Sequence, residues 1–381
     1  MPSTIVGVPR EIKREEHRVA LAPSATYHLI RDGHRVLVES GAGLDSNYQD
    51  QEYSEAGADI VDSHEEVFQR ADLIIKVKEP QPEEIPLLRA EHILFTYLHL
   101  AANRSLTEAL LASGCTAIAY ETVSLHGRLP LLEPMSEIAG RMSVFVGAYH
   151  LARHQGGRGV LLGGVPGVLP GKVLVIGGGA AGLNAARIAT GIGADVTILE
   201  VDSERMRFLD TTLHTAHTLY SSETSLLEQL PRVDLIIGAV LVPGARAPRL
   251  ITRRMLELMQ PGSVLVDIAV DQGGCAETTR PTTHDHPTYL EEEVIHYCVA
   301  NMPSAFSRTA SQALTNATHR YVEALASLSL AEACGRYPEL IDGVNCIAGE
   351  LTCRAVAEAH GIPWTQYTPS DWPAGPGCGP L

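Results

Sequence analysis

The sequence has few aromatic residues and lacks the long apolar runs of a membrane protein. Aromatic side chains make up 5% of the 381 residues, whereas hydrophobic residues make up 45%. The core must therefore be built from Val, Ile, Leu and Ala, which is typical of parallel sheets. No apolar run approaches the length of a bilayer-spanning helix, and the chain length predicts two domains or one large α/β unit.

Positive charge is also scarce. The chain has 29 Lys and Arg residues against 45 Asp and Glu residues, which gives a formal net charge of −16. No run of basic residues is longer than two. Because this charge repels polyanions, nucleic acids and anionic membranes are not expected as partners.

Paired cysteines and a recognisable metal-ligand set are missing as well. The seven cysteines are scattered without a CxxC pair, which predicts reduced thiols rather than a disulfide framework. His284 and His286 of THDHP do not complete a ligand set, so we expect no metal site. The amino-terminal residues MPSTIVGVPREIK do not have the pattern of a signal peptide, and we expect a cytoplasmic protein.

The periodicity of the chain predicts an α/β fold. Short β-branched runs alternate with helical segments in two successive series. The first series contains STIVGV, HRVLVE, DLIIKV, HILFTYL and CTAIAYE, and the second contains KVLVIG, DVTILE, VDLIIGAV, SVLVDIAV and IHYCVANM. After Pro303 the pattern becomes helical. Two doubly wound Rossmann-like domains are the simplest architecture that fits.

A dinucleotide-binding motif begins the second series. In VLVIGGGAAG, the residues Gly177, Gly179 and Gly182 form G-x-G-x-x-G between a predicted strand and a predicted helix. The amino end of that helix offers unpaired N–H groups to a diphosphate. Glu200, at the end of the next strand, is placed to accept hydrogen bonds from the adenosine ribose and to repel the extra phosphate of NADP. The sequence therefore predicts NAD as the cofactor.

Polar side chains at the carboxyl ends of the predicted strands are candidates for the reaction site, because ligands of open α/β sheets bind there. In the first series they are Lys76, Lys78, His99 and Glu121, and in the second they are Asp271 and Asn301. The strand pattern predicts a functional role for at least one of the two lysines. For His99, the residues alone leave open a buried core histidine or a group that transfers protons near neutral pH.

Taken together, these segments resemble the alanine dehydrogenases, which are related to the nucleotide-binding part of proton-translocating transhydrogenase. The resemblance runs from Ile5 to about Gly361. It rests on many long segments in the same order: GVPREIKREEHRVALAP, IIKVKEP, LFTYLHLAA, AYETV, LPLLEPMSEIAGR, QGGRGVLLGGVPGV, IGAVLVPGARAP, DIAVDQGGC, RPTTHDHPTY and VANMP.

The resemblance implies roles for particular residues. Arg18 and Lys78 would hold the carboxyl and carbonyl groups of the substrate, and His99 and Asp271 would be the catalytic pair. Asn301 would line the substrate cleft. The residues that the resemblance assigns to the cofactor are Met135, Ser136, Gly177, Gly179, Gly182, Glu200, Val240, Leu241 and Met302.

The resemblance also implies the domain organisation and the reaction. A substrate domain of residues 1–133 would be completed by residues 305–381, and residues 134–304 would bind NAD. The expected reaction is oxidative deamination of L-alanine to pyruvate and ammonium, and its reverse, in a homohexamer. The alternatives are a transhydrogenase-like NAD-binding subunit and a dinucleotide-binding regulatory protein without catalysis.

The sequence departs from the family pattern in three places. Glu200 stands where many members have Asp, SAFSRTASQ replaces a run similar to GAVPRTST, and the tail GPGCGPL matches no part of the family pattern. These changes concern the cofactor-side loop and the carboxyl terminus, not the expected chemistry.

Overall fold

The computed structural model describes residues 4–240 and 247–367. These residues form two compact units. The first comprises residues 4–135 together with residues 306–367, and the second comprises the described residues between 136 and 305. Each unit contains one sheet flanked by helices.

The first unit contains an eight-stranded sheet in the order β15-β14-β6-β5-β4-β1-β2-β3. Its strands are β1 (Ile5–Val8), β2 (Arg35–Glu39), β3 (Asp59–Val61), β4 (Leu73–Ile75), β5 (Ile93–Thr96), β6 (Thr116–Ala119), β14 (Val344–Ile347) and β15 (Glu350–Leu351). Its helices are α1 (Pro23–Arg31), α2 (Asp50–Glu55), α3 (His64–Arg70), α4 (Arg104–Ser113), α10 (Ser307–Ser327), α11 (Leu330–Arg336), α12 (Leu340–Gly343) and α13 (Arg354–His360).

The second unit contains a seven-stranded sheet in the order β12-β13-β11-β10-β7-β8-β9. Its strands are β7 (Lys172–Ile176), β8 (Asp195–Glu200), β9 (Ala216–Tyr220), β10 (Leu235–Gly238), β11 (Val264–Asp267), β12 (Thr288–Glu291) and β13 (Val294–Tyr297). Its helices are α6 (Ala180–Gly191), α7 (Ser203–Thr212), α8 (Glu223–Gln229) and α9 (Arg253–Leu256), together with most of α5 (Glu133–His150).

Both sheets have doubly wound topology. In each, six parallel strands follow the order 3-2-1-4-5-6 along their own series, so the strand order reverses at β1/β4 in the first sheet and at β7/β10 in the second. The central strands β4, β10 and β11 are buried along their whole length, as strands covered by helices on both faces must be. The predicted fold class of two Rossmann-like domains is confirmed.

The carboxyl-terminal segment completes the first unit. Strand β14 pairs antiparallel with β6 and extends the sheet, and the long helix α10 packs in the same unit. Two hydroxyl groups of α10 accept hydrogen bonds from buried backbone N–H groups near the amino terminus. Val19 donates to Ser311 Oγ over 2.9 Å, and Ala22 donates to Thr315 Oγ1 over 3.0 Å. These bonds join segments that lie almost 300 residues apart in the chain.

No helix among the described residues is both long enough and apolar enough to cross a bilayer.

Replacing Thr315 by Val tests the bond between α10 and the amino-terminal segment. The change keeps the shape of the buried side chain but leaves the Ala22 N–H without its acceptor, which costs about 1–3 kcal/mol in the free energy of unfolding. The control is Thr318→Val, since the hydroxyl of Thr318 is equally buried but donates only to carbonyl groups of its own helix. Urea unfolding of both variants measures the difference, and equal losses would contradict the assigned role of Thr315.

Candidate active site

The glycine loop of the second unit joins β7 to α6. Gly177 has a φ of +94°, a conformation that L-residues with side chains rarely adopt. A Cβ at Gly182 would overlap the carbonyl oxygen of Gly177, whereas a Cβ at Gly179 would meet no protein atom within 4 Å. The close approach at Gly182 brings strand and helix together, and the open surface at Gly179 lets a ligand approach the backbone. This geometry fits a dinucleotide diphosphate at the amino end of α6.

The carboxylate of Glu200 fixes one side of this loop. It accepts hydrogen bonds from the N–H groups of Gly178 at 2.8 Å, Val201 at 2.7 Å and Asp202 at 3.1 Å. The guanidinium of Arg205 fixes the loop from the other direction, because it donates to the carbonyl oxygens of Gly178 and Gly179. Glu200 therefore lies at the end of β8 beside the glycine loop, where the ribose of a dinucleotide would bind.

Arg18 lies in the first unit and is almost completely buried. Its Nε and Nη2 donate to the two carboxylate oxygens of Glu16 over 2.6 and 2.5 Å, and its Nη1 lies 3.1 Å from Sδ of Met135. Burial lowers the pKa of Arg18, but the adjacent Glu16 carboxylate outweighs burial and the net shift is upward. The ion pair fixes the plane of a guanidinium that remains charged.

The two lysines that follow β4 have different environments. Lys76 is fully buried, and its Nζ lies 2.7 Å from Glu84 and 3.2 Å from Glu11. Lys78 is held through its backbone, because its N–H donates to Glu11 over 3.4 Å and its carbonyl oxygen accepts from Thr96 over 2.9 Å. Lys76 is thus part of an internal ion-pair network, and a functional role of Lys78 stays a prediction.

The ion-pair network continues from Lys76 to His64. Glu84 contacts His64 Nε2 at 3.1 Å, and His64 Nδ1 contacts Glu39 at 2.7 Å. Burial lowers the pKa of His64, but hydrogen bonds to these two carboxylates raise it to about 9. Burial likewise lowers the pKa of Lys76, and its two carboxylate partners raise it. Both cations therefore stay protonated at neutral pH and neutralise the buried carboxylates around them.

His99 follows β5 and is exposed, so it is not a core histidine. Its backbone is left-handed with a φ of +51°, and its ring lies parallel to that of Tyr97, with the centroids 6.0 Å apart. The N–H groups of His99 and Leu98 both donate to the carboxylate of Glu121, over 2.6 and 3.1 Å. The structure thus brings Lys78 and His99 to the carboxyl edges of the adjacent strands β4 and β5.

Asp271 follows β11 in the second unit and is also exposed. The loop that carries it is fixed by the buried Asp267, whose carboxylate accepts from the N–H groups of Ala269 and Cys275 and from the hydroxyl of Thr279. Burial raises the pKa of Asp267. Of the two aspartates of VDIAVDQGG, Asp267 organises the loop and Asp271 is available to a ligand.

The remaining predicted residues lie in several environments. Met135 is buried beside Arg18, and Ser136 is partly exposed at the start of α5. Met302 is buried in the core of the second unit, and Asn301, with a φ of +62°, follows β13. Val240 follows β10, and its N–H lies beside Gly177 at the glycine loop. The prediction for Leu241 lies outside the described residues.

Comparison with known proteins identifies the family. The model described as "Alanine dehydrogenase/PNT, N-terminal domain" matches residues 7–139, and that described as "Alanine dehydrogenase/PNT, C-terminal domain" matches residues 143–354. The chain belongs to the alanine dehydrogenase/PNT family.

The similarity extends over almost the whole chain. The alanine dehydrogenase of Mycobacterium tuberculosis is 52% identical over 363 residues, which are 95% of this chain and 98% of that protein. A solved structure titled L-alanine dehydrogenase is 49% identical with a TM-score of 0.90 and covers 94% of this chain and 99% of its own. The transhydrogenase from Sinorhizobium meliloti is 27% identical with a TM-score of 0.78, covering 92% and 99%.

In this member of the alanine dehydrogenase/PNT family, sequence reasoning missed the carboxylates that hold the predicted site residues. Glu11 and Glu16 were not singled out, and Glu121 was noted only as a strand-end residue. Each accepts backbone N–H groups of a predicted site residue or of its immediate neighbour. Glu11 and Glu121 could have been found, because each lies two or three residues beyond the end of a strand, and the neighbouring strand is followed by a candidate site residue. Glu16, eight residues beyond β1, has no such signal.

Replacing Gly182 by Ala tests the glycine loop. The added methyl group must displace the Gly177 carbonyl, so we expect NADH to bind roughly tenfold more weakly or worse, with the first unit unaffected. Gly191→Ala is the matched control on the same helix, because a Cβ there meets no atom within 4 Å. NADH fluorescence titration measures both affinities, and an unchanged affinity of Gly182→Ala would contradict the proposed binding mode.

The pKa of His64 predicts a pH-dependent contribution to stability. Because the folded pKa of about 9 is above the ordinary histidine pKa of about 6.5, the contribution is complete below about pH 6.5 and is lost as pH rises through about 9, with an upper bound of roughly 3 kcal/mol. His64→Gln should therefore lower the free energy of unfolding most near pH 6 and much less near pH 10. Urea unfolding at both pH values measures this difference, and a loss that is independent of pH would exclude the ion pairs as its cause.

Proposed function

We propose that this chain is an L-alanine dehydrogenase that uses NAD to interconvert L-alanine with pyruvate and ammonium. The observation that carries the proposal is that the first unit contains the buried Arg18, held by Glu16, together with Lys78 and His99 just beyond the ends of adjacent strands. The second unit of the same chain has a dinucleotide loop. The relatives named alanine dehydrogenase match the chain nearly end to end. In this proposal residues 1–133 and 305–381 bind substrate, and residues 134–304 bind the cofactor.

The first unit binds and orients the substrate. Arg18 pairs with the substrate carboxylate, because its guanidinium is charged, buried and held in one plane by Glu16. Lys78 donates to the carbonyl oxygen of pyruvate, and its position is fixed by the contacts of Glu11 and Thr96 with its backbone. Preorganised donors of this kind stabilise charge that develops on the substrate without having to rearrange during the reaction.

His99 transfers the proton in this proposal, and Asp271 acts on the attacking water. His99 accepts a proton from the reacting nitrogen or oxygen in alanine oxidation and returns it in pyruvate reduction. Asp271 orients the water that converts the imine to the ketone. When bound at the glycine loop, the nicotinamide ring supplies the hydride chemistry.

NAD rather than NADP is the cofactor in this proposal. The carboxylate of Glu200 is fixed beside the glycine loop by three backbone N–H groups. Its negative charge repels a phosphate on the adenosine ribose, and oxygen lone pairs can accept from ribose hydroxyl groups. The other proposed cofactor contacts are Gly177, Gly179, Gly182, Val240, Leu241, Met135, Ser136 and Met302. Asn301 is assigned to the substrate cleft.

We also propose a cytoplasmic homo-oligomer, with the hexamer that the family resemblance implies. The free, mostly buried thiols of the described cysteines suit a reducing compartment. The second unit exposes large apolar side chains on α5 and the loop after it, which is typical of a protein interface. They are Phe145, Tyr149, Leu161, Val165, Val168 and Leu169, between 54% and 87% exposed. Light scattering of the purified protein measures the number of subunits.

The transhydrogenase-like subunit and the non-catalytic module are not favoured. Arg18, Lys78, His99 and Asp271 are all present, and a subunit that only passed hydride to another protein would not need a set of residues for a small amino acid.

The activity is tested by NADH absorbance. Pyruvate with ammonium should oxidise NADH, and L-alanine should reduce NAD, with a catalytic efficiency far above that with NADP. Replacing Glu200 by Ser should narrow the difference between the cofactors, since it removes the repelling carboxylate. Comparable efficiency with NAD and NADP in the unaltered protein would refute the cofactor assignment, and no turnover with alanine would refute the substrate.

Variants of the first unit separate substrate binding from cofactor binding. Arg18→Ala and Lys78→Ala should impair the use of pyruvate while NADH affinity is nearly unchanged, because neither residue belongs to the glycine loop. His99→Ala should fold, bind NADH and turn over on the order of 10² to 10⁴ times more slowly. Steady-state kinetics and NADH titration measure these effects. Full activity of any of the three variants would remove that residue from the proposed site.

A further inference from the structure

The backbone of His99 has an uncommon conformation that surrounding contacts must stabilise. His99 has a φ of +51° and a ψ of 36° and begins a short 3-10 helix, Leu100–Ala102. A residue with a side chain is rarely left-handed, and such strain at a functional position persists only when surrounding contacts impose it. The side chain of Glu121 provides two such contacts here.

The position of Glu121 follows from the register of two strands. Strands β5 and β6 are parallel, and their last paired residues are Thr96 and Ala119. Continuing that register by two residues places Glu121 opposite Leu98. At this point the ladder has ended, so the N–H groups of Leu98 and His99 lack carbonyl partners from a neighbouring strand.

The carboxylate of Glu121 replaces those missing carbonyl groups. Oε1 accepts from His99 N–H at 2.6 Å and from Leu98 N–H at 3.1 Å, and Oε2 lies 3.2 Å from Leu98 N. A carboxylate that receives two adjacent N–H groups requires both to point the same way, which a continuing strand does not allow. The left-handed turn at His99 meets this requirement, and it leaves the imidazole exposed beside the ring of Tyr97.

The ring of Tyr97, against which the imidazole lies, is held in place by its own contacts. Tyr97 is buried, its hydroxyl donates to the carbonyl oxygen of Leu131 over 2.6 Å, and its ring packs edge-on against Tyr120. The orientation of His99 is therefore set by two contacts: the carboxylate that holds its backbone, and the aromatic ring that its side chain lies against.

We infer that Glu121 is a positioning residue for proton transfer, which acts by holding the backbone of Leu98 and His99 in the turn that presents the imidazole to the substrate. The inference rests on the proposed function, in which His99 exchanges the proton. Glu121 acts through the backbone, because its two oxygens accept the N–H groups of Leu98 and His99.

A double-mutant cycle tests whether Glu121 acts through His99. Glu121→Ala should lower kcat by roughly 10- to 100-fold, the cost of displacing a catalytic group by about 1 Å, while NADH affinity stays unchanged. Glu121→Gln should retain part of the activity, because its amide oxygen still accepts an N–H. In the His99→Ala background, Glu121→Ala should cause no further loss of the residual rate.

The outcomes separate the inference from the proposed function. Wild-type kcat in both Glu121 variants, or an equal loss with and without His99, would overturn the positioning role. A fully active His99→Ala enzyme would instead refute the proton-transfer role of His99. If Glu121→Ala does not fold, Glu121→Gln alone and with His99→Ala completes the cycle. Glu108→Ala, an exposed glutamate of α4 in the same unit, is the control and should leave kcat unchanged.

Discussion

Just beyond the ends of the parallel strands, carboxylates accept backbone N–H groups and fix the segments that carry the candidate site residues. Beyond the last ladder bond, the chain must turn toward the ligand, and its N–H groups lose their partners. Glu11 accepts an N–H group of the segment that carries Lys78, and Glu121 accepts the N–H of His99. Asp267 accepts an N–H group of the loop that carries Asp271. Charge-assisted hydrogen bonds of this kind are stronger than neutral ones, so they can hold irregular backbone in one conformation.

This arrangement explains part of the acidic composition. Several carboxylates of the first unit are internal structural groups, and they are neutralised by the buried Lys76 and the partly buried His64. Removing one partner of such a network leaves an uncompensated charge in a buried place. The network therefore links the stability of the first unit to the position of Lys78, whose backbone is bonded to the same Glu11 that contacts Lys76.

In the second unit, a carboxylate also accepts backbone N–H groups, here around the glycine loop. Glu200 accepts three N–H groups around the glycine loop and at the end of β8, so the carboxylate that is proposed to select NAD also shapes the loop that is proposed to bind the diphosphate. Glu200, the residue at which the sequence departs from the family resemblance, thus contacts the N–H of Gly178 directly.

The sequence by itself determined the fold class, the family and the glycine loop. Their signals are local: buried strands read as apolar runs, and the steric requirements at Gly177 and Gly182 allow few other residues. The residues alone could not assign Lys76 and Lys78 or decide whether His99 was buried; the family resemblance supplied Lys78 and His99. Only the tertiary structure decided that Lys76 pairs with Glu11 and Glu84, and that Glu121 holds the turn at His99. The contacts of Lys76 with Glu11 and of His99 with Glu121 join segments that are 65 and 22 residues apart in sequence, whereas Glu84 lies in the segment that follows β4. Strand register, which places one carboxylate opposite one N–H, exists only after the sheet has formed.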